Sequence, residues 1–411
     1  MALEDLTGSS KFIDDLNAAN PVVSDDFDEG VDHIQGIKNV LGNSFPNVNA
    51  AVTATPAQLN ATSTLDTDYA PITRPRRNLI INGCFRVWQR GTSFGLVSTS
   101  GYTADRWLWA HQGTATLGWS RQVRPLTNGE LDAGHYIYGN VTVADVALGA
   151  SDYGTLIHRI EGYDAQALTW GGSGARTITI SFWHAHTLTG TYSVAIRNAA
   201  NDRSYVTEYT QSVTNSWEKA EVTIPGCTDG TWEIDTNVGL QVLFPVDSGS
   251  NSDTSSINTW LAANKYTSSN QVSGLSSTSY WYKFAQVQFE VGDTATKFEL
   301  RPLEEEKSLC MRYLQVYSGE VIGNGYASLT TNIRTLIPTP VAMRVTPTSV
   351  LTTVGTIRLR GAGQDKIPSA VSVHSKSNNG VCLDWTVTGA VQNYTYALLD
   401  AGVDITLSAE P

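Results

Sequence analysis

Five runs in the middle of the chain alternate apolar and polar residues: TITISFWHAH (177–186), TYSVAIRN (191–198), KAEVTIPG (219–226), VGLQVLFPV (238–246) and YWYKFAQVQFEVG (280–292). Successive side chains of an extended chain point to opposite faces, so a run of this period buries one face as a strand and not as a helix. β-Branched and aromatic residues fill the runs, and clusters of Gly, Asn, Asp and Ser separate them. The pattern predicts a two-sheet antiparallel β-sandwich over residues 78–302. Its opening, NLIINGCFRVWQRGTSF (78–94), reads as a strand at Leu79–Ile81, a tight Asn82–Gly83 turn, and a second extended run, because Asn and Gly both tolerate positive φ. GYTADRW (101–107) follows.

A chain of 411 residues is too long for one typical core, which implies two or three domains. Eleven Trp, seventeen Tyr and thirty-five Gly beside only 16% charged residues suit a mainly β protein with many turns. No apolar run is long enough for a membrane-spanning helix, so no membrane insertion is expected. The start, MALEDLTGSSKF, lacks the apolar stretch of a signal peptide, so synthesis in a cytoplasm without export is expected. Cys84, Cys227, Cys310 and Cys382 form no C-x-x-C pair and read as free, mostly buried thiols.

The net charge of −12 is lopsided. Residues 1–70 hold eleven acids against Lys11 and Lys38, a net −9. Such a chain lacks the basic surface that nucleic acid requires. The same segment reads as helical. Ser9 or Ser10 caps a helix over Lys11–Ala19; Asp25 or Asp26 caps a second, and Thr55–Pro56 opens a third through Asn60. In the second helix Val31, Ile34, Ile37, Val40 and Leu41 form one narrow stripe, which needs a partner to be buried. Residues 66–77, DTDYAPITRPRR, read as a linker that completes an attachment segment over residues 1–77. Beyond the sandwich, residues 303–411 read as a helix plus a small C-terminal β domain. Glu304–Glu306 favour the helix start through the dipole, and Leu309, Tyr313 and Val316 make its stripe. Strands are expected at 334–337, 341–345, 356–360, 370–374, 381–387 and 394–399.

Chemical motifs are few. Gly91–Gly95 matches G-x-S-x-G, but β-rich sequence follows where a nucleophile elbow needs a helix. His184 and His186 share one strand face but lack further ligands at metal-site spacing, so packed or hydrogen-bonded histidines are expected. Asp152, Glu161, Asp164, Glu208 and Asp235 are candidate acids for a glycosidase pair, with nothing in the spacing to say which converge. No cofactor is expected; the oxygen-rich Asp247–Asp253 stretch is a structural Ca²⁺ candidate without EF-hand spacing. Ten of the eleven Trp lie between residues 88 and 281. Aromatic rings are flat platforms for the C–H faces of sugars. Trp119, Trp170, Trp232, Trp260 and Tyr266 fall near loops or strand ends, whereas Trp88, Trp107, Trp183 and Trp281 lie inside strand patterns and read as core. The long polar segment Asp247–Tyr280, with a helical turn expected at Ile257–Ala263, favours Trp260 and Tyr266 as binding residues.

Several phrases carry a family resemblance. The NL-x-x-NG-x-F opening is similar to that of β-sandwich modules in bacteriophage tail fibre and other virion appendage proteins, and to jelly-roll carbohydrate-binding modules; Cys84 stands where that family usually has Asp. Residues 25–60 resemble the segment that attaches phage tail fibres to the virion. QFEVGDTATKFELRPLEEEKSLCMRYLQVY (288–317) and IPTPVAMRVTPTSV (337–350) also resemble phage tail and prophage proteins. The resemblance implies a non-catalytic virion protein: a tail fibre that binds a host cell-surface glycan and is a homotrimer. It also implies a jelly-roll-like form for the sandwich. The Val31–Leu41 stripe and the C-terminal β domain would join the copies of the trimer, and residues 1–70 would attach it to phage tail or baseplate proteins. The alternatives are a head or collar fibre or capsid decoration protein, and a glycan-cleaving tailspike.

Overall fold

The computed structural model describes residues 27–44, 77–97, 100–123, 134–317, 322–351, 357–399 and 405–411. The chain divides into two compact units, Met1–Ala70 and Pro71–Pro411. In the first, the described element is α1 (Phe27–Ser44), which matches the second expected helix and runs through its Gly42–Asn43 stop. Val40 is buried, Ile37 half-buried, and Ile34 and Leu41 exposed. The side chain of Val31 and the helices expected at 11–19 and 55–60 lie outside the described residues.

The second unit is mainly β. Its first fifteen strands are β1 (Ser93–Val97), β2 (Gly101–Tyr102), β3 (Trp107–Gln112), β4 (Thr116–Val123), β5 (His135–Val143), β6 (Tyr153–Glu161), β7 (Ile178–His186), β8 (Gly190–Asn198), β9 (Ser204–Gln211), β10 (Glu218–Ile224), β11 (Val238–Ser248), β12 (Asp253–Thr254), β13 (Trp260–Leu261), β14 (Thr267–Ser268) and β15 (Trp281–Val291). They make a six-stranded sheet, β1-β4-β5-β15-β7-β10, and a seven-stranded sheet, β13-β9-β8-β11-β6-β3-β2, with β12 and β14 as a separate parallel pair. Pairing within both large sheets is antiparallel.

One core holds the two sheets face to face. Trp119, Ile137, Phe182 and Phe284 from the first meet Trp109, Leu156, Tyr192 and Phe244 from the second. Phe182 and Phe244 cross edge-to-face at 5.1 Å, and Trp109 meets Trp119 at 5.2 Å. Each such pair contributes roughly 0.5–1.5 kcal/mol beyond its buried area. His184 and His186 belong to this core. The His184 ring sits 3.0 Å from Gln211 Oε1, and His186 Nε2 lies 3.1 Å from the Tyr209 hydroxyl. Burial lowers both imidazoles, His184 to about 4.

The opening corner differs from expectation. Residues 77–80 form no strand, although the turn at Asn82 is present, with φ of 60°. The segment instead lies along β15, with Leu79 N–H donating to the Phe289 carbonyl and Val287 N–H to that of Gly83. The approach is so close that a Cβ on Gly83 would stand 2.1 Å from the Val287 oxygen. Asn78 and Asn82 satisfy the irregular backbone. Asn78 Oδ1 accepts from Ile80 and Phe289, and Asn82 Nδ2 donates to the Val87 and Asp105 carbonyls. Cys84 is buried in this corner, and burial pushes its thiol up to about 12.

Two short helices flank the sandwich, α2 (Gly162–Ala165) and α3 (Leu303–Met311). The expected stripe of α3 is cut short: the helix ends at Met311, and Val316 lies in the next strand. That strand opens the C-terminal set: β16 (Leu314–Tyr317), β17 (Gly323–Leu329), β18 (Asn332–Pro338), β19 (Ser349–Leu351), β20 (Arg358–Gly361), β21 (Gln364–Lys366), β22 (Ala370–Ser377), β23 (Gly380–Thr386), β24 (Thr395–Leu399) and β25 (Ile405–Ser408). They form a three-stranded sheet, β16-β25-β19, and a seven-stranded sheet, β21-β20-β24-β17-β18-β23-β22, around a separate core with Trp385 at its centre. No strand forms at 341–345; Met343 there is a buried plug of that core.

A charged and aromatic junction ties these strands to the sandwich. The Arg106 guanidinium is buried under the Tyr313 ring, 3.5 Å from its centroid, and pairs with Glu410. Glu161, at the end of β6, accepts from Arg312 Nη2 at 2.6 Å and from the Tyr313 hydroxyl at 2.6 Å. Glu306 on α3 accepts the Asn82 backbone N–H, so the opening corner and the helix share one hub.

Candidate functional site

Alternation along the seven-stranded sandwich sheet sorts its residues. Leu156, Tyr192, Phe244 and their neighbours face the core. Leu108, Ala110, Ile157, Ala195, Val206 and Leu243 face outward and form a second apolar cluster with Tyr266. The segment between β11 and β15 covers part of this outer face. No helical turn forms at 257–263; the chain there makes β13, which pairs with β9. Lys265 Nζ donates to the Asn251 carbonyl at 2.8 Å, and Ser268 N–H to Ser193 Oγ on β8 at 2.8 Å, pinning the segment down.

Beside that cover a cavity of about 350 Å³ remains open on the outer face. Its floor is Ala110, Thr155 and Ile157; its walls are the rings of Tyr153 and Tyr266, the Arg197 guanidinium, and Asn201, Asn251 and Asn264 with Ser151 and Ser252. The two rings meet edge-to-face at 6.0 Å, and the guanidinium carbon of Arg197 lies 5.5 Å from the Tyr266 centroid. Arg197 Nη1 donates to Asn264 Oδ1 at 2.9 Å and Nη2 to Gln241 Oε1 at 3.1 Å. Burial lowers the Arg197 pKa, with nearby Arg159 adding to the effect, yet a guanidinium keeps its charge at any physiological pH. Flat rings, amides and one fixed cation around a volume in the small-ligand range of roughly 300–1,000 Å³ can hold a polar, ring-shaped ligand.

The sequence-derived binding residues fall in three places. Tyr266 is a cavity wall, but at 3% exposure it is not an open platform. Trp119 is core: at 1% exposure it packs on Trp109, and its ring lies so close over Gly139 that a Cβ there would stand 2.5 Å away. A ring so enclosed has no face to offer a sugar, which corrects the expectation for this residue. Trp170, Trp232 and Trp260 come together at the edge of the sandwich, half-buried. Their centroids are 4.8, 5.3 and 5.6 Å apart, all edge-to-face, and Trp260 also meets Tyr205 at 5.3 Å. Each indole N–H donates to a backbone carbonyl: Trp170 to Arg176, Trp232 to Asp229, and Trp260 to Pro225. Sequence reasoning missed Tyr153, Arg197 and the three asparagines. Arg197 is the one charge in the run TYSVAIRN, in register with the outward Ser193 and Ala195. Only the fold shows that an arm far along the chain closes over it.

A second cavity, about 490 Å³, opens at the junction with Glu161 and Asp164 among its lining residues. Glu161 holds Arg312 and Tyr313 with both oxygens, as a structural carboxylate would. The other candidate acids are also engaged: Glu208 accepts from Ser268 and Asn270, Asp152 from Gly149 N–H, and Asp235 from Asn237. In the Ca²⁺ candidate stretch, Asp247 Oδ2 accepts from Ser273 and from Leu275 N–H. Among the described residues no three His, Cys, Asp or Glu side chains gather as a metal site. In the G-x-S-x-G match, Ser93 opens strand β1.

No protein-family model and no curated protein matches the chain. Solved structures match over about half of it. The enzymatically active domain of tailspike protein 4 from bacteriophage CBA120 is 12% identical, covering 53% of this chain and 22% of that one, with a TM-score of 0.28. The carbohydrate-binding module TmCBM61, solved with β-1,4-galactotriose, is 11% identical, covering 53% of this chain and 99% of the module at a TM-score of 0.25. The family 11 carbohydrate-binding module of the Clostridium thermocellum cellulase Lic26A-Cel5E is 11% identical, covering 46% and 88% at 0.24. The architecture described above rests on this chain's own strands rather than on these partial likenesses.

Proposed function

We propose that this protein is a phage tail fibre that holds the virion to a glycan on the host surface and does not cut it. The observation that carries the reading is the cavity on the outer sandwich face, where Tyr153, Tyr266, Arg197 and three asparagine amides converge. Sugars are bound by stacking on rings and by hydrogen bonds to amide and guanidinium groups, and this set supplies both. The phrases of residues 25–60, 288–317 and 337–350 support a place in the virion, with the acidic segment 1–70 as the attachment arm. Single sites of this kind are weak, so adhesion would come from several copies on one homotrimer.

The test pairs two assays on one sample: retention of the full-length protein on host-surface polysaccharide, and release of reducing ends from it. Retention without new reducing ends supports the reading. New reducing ends would make the protein a tailspike enzyme, and no retention would remove glycan binding.

A further inference from the structure

The polar inventory of the outer-face cavity is unbalanced. Arg197 is the only described lining residue with a formal charge. Its guanidinium has five donors, and the two bonds it makes go to neutral amide oxygens, Asn264 Oδ1 and Gln241 Oε1. Its Nε finds no hydrogen-bond partner among the described residues. Thr155, 1% exposed in the floor, has an Oγ1 with no partner among the described residues either. Three arginines of this fold are matched with carboxylates, Arg106 with Glu410, Arg312 with Glu161, and Arg334 with Asp384; others, such as Arg344, which donates to the Ala409 and Thr236 carbonyls, are held by backbone. A half-buried cation whose bonds go only to neutral amides is a site short of an anion.

We propose that this cavity binds a carboxylated sugar, a uronate unit of an acidic glycan, with its carboxylate on the Arg197 fork and its ring against the half-buried Tyr153. This rests on the glycan-binding reading and names the chemical class of that same site. One guanidinium matches a monoanion. A phosphate monoester carries closer to two charges and would leave one uncompensated in the cavity. Asn251 and Asn264 then serve the ring hydroxyls.

Calorimetric titration of the full-length protein with glucuronate, galacturonate and mannuronate trisaccharides, each against its own methyl ester, tests this. The ester keeps the size and hydroxyls and removes the charge. At least one acid should bind about tenfold or more tighter than its ester, the factor that one charge-assisted hydrogen bond contributes. Arg197→Met should abolish that difference, and Arg197→Lys, which keeps the charge without the fork, should lose most of it. Equal binding of every acid and its ester overturns the proposal while leaving glycan binding intact. An acid preference that survives in a folded Arg197→Met protein moves the anion site elsewhere and also overturns it. Tighter binding of galactose 6-phosphate than of any uronate reassigns the anion. If neither these sugars nor neutral galactotriose bind, the glycan-binding reading fails together with the proposal.

Discussion

Trp119 and Trp260 belong to the same residue type and to opposite situations. Trp119 is enclosed between Trp109 and Gly139, so Trp119→Ala should cost roughly 3–5 kcal/mol of stability. Ligand affinity of the folded fraction should not change. Trp260 is half-buried at the centre of a cluster with Trp170, Trp232 and Tyr205. Its indole N–H is spent on the Pro225 carbonyl, and three rings meet it edge-to-face. Trp260→Ala should therefore lower stability by roughly 3 kcal/mol, toward the low end for aromatic deletions, and leave sugar binding in place. A Trp260→Ala protein that melts like its parent and no longer binds would make the cluster the sugar platform instead. The sequence could place both tryptophans near strand ends, but not say which ends are covered. Coverage depends on groups that arrive from about 10 to 90 residues away, and no local period reports it.

At the scale of elements, the strands were the legible part, because period-two alternation is a local signal. All five alternating runs are strands, and their inward positions make the sandwich core. The opening corner was half legible. Its Asn82 turn forms, but the flanking residues bond to β15 and to side chains instead of to each other. Elements also carry two testable consequences. Strand β7 places His184 and His186 in the core, where burial outweighs the Gln211 hydrogen bond and the Glu218 charge that favour the His184 cation. A folded-state imidazole pKa below the ordinary value means that the unfolded chain takes up protons first as pH falls. The stabilisation is thus complete above about pH 6.5 and is lost toward the folded value near 4, on the order of 3 kcal/mol for His184. Urea midpoints measured between pH 7 and 4 should fall less steeply in His184→Gln than in the parent; parallel profiles would refute the buried neutral histidine. The turn before β3 places Arg106 in the junction with β16 and Glu410. Arg106→Met leaves Glu410 with only the longer contact to Arg90, 3.4 Å away, so the loss should reach at most the about 3–5 kcal/mol of a broken buried pair. Chemical denaturation should show that loss; a change below about 1 kcal/mol would mean that solvent already screens the pair.

For the whole molecule, the division at Ala70 sets the prediction. Every described β strand and the described sandwich and C-terminal cores lie in Pro71–Pro411. A chain beginning near Arg76 should fold with the parent's melting profile and keep its sugar affinity, yet fail to enter virions. Normal incorporation would remove the attachment role from the acidic segment. The site itself was the least legible level. The outward faces of β6 and β8 lie about 100 and about 60 residues before the arm at 250–266, and only their pairing through β11 and β9 makes a cavity. The central claim is that this cavity holds a sugar without cutting it. The most direct measurement is calorimetric titration of acidic host-surface polysaccharide into the full-length protein and its Arg197→Met variant, with reducing ends assayed in the same cells afterwards. The account predicts saturable binding by the parent, a loss of about tenfold or more in the variant, and no new reducing ends. Equal binding by the two proteins, or reducing ends that rise with time, would contradict it.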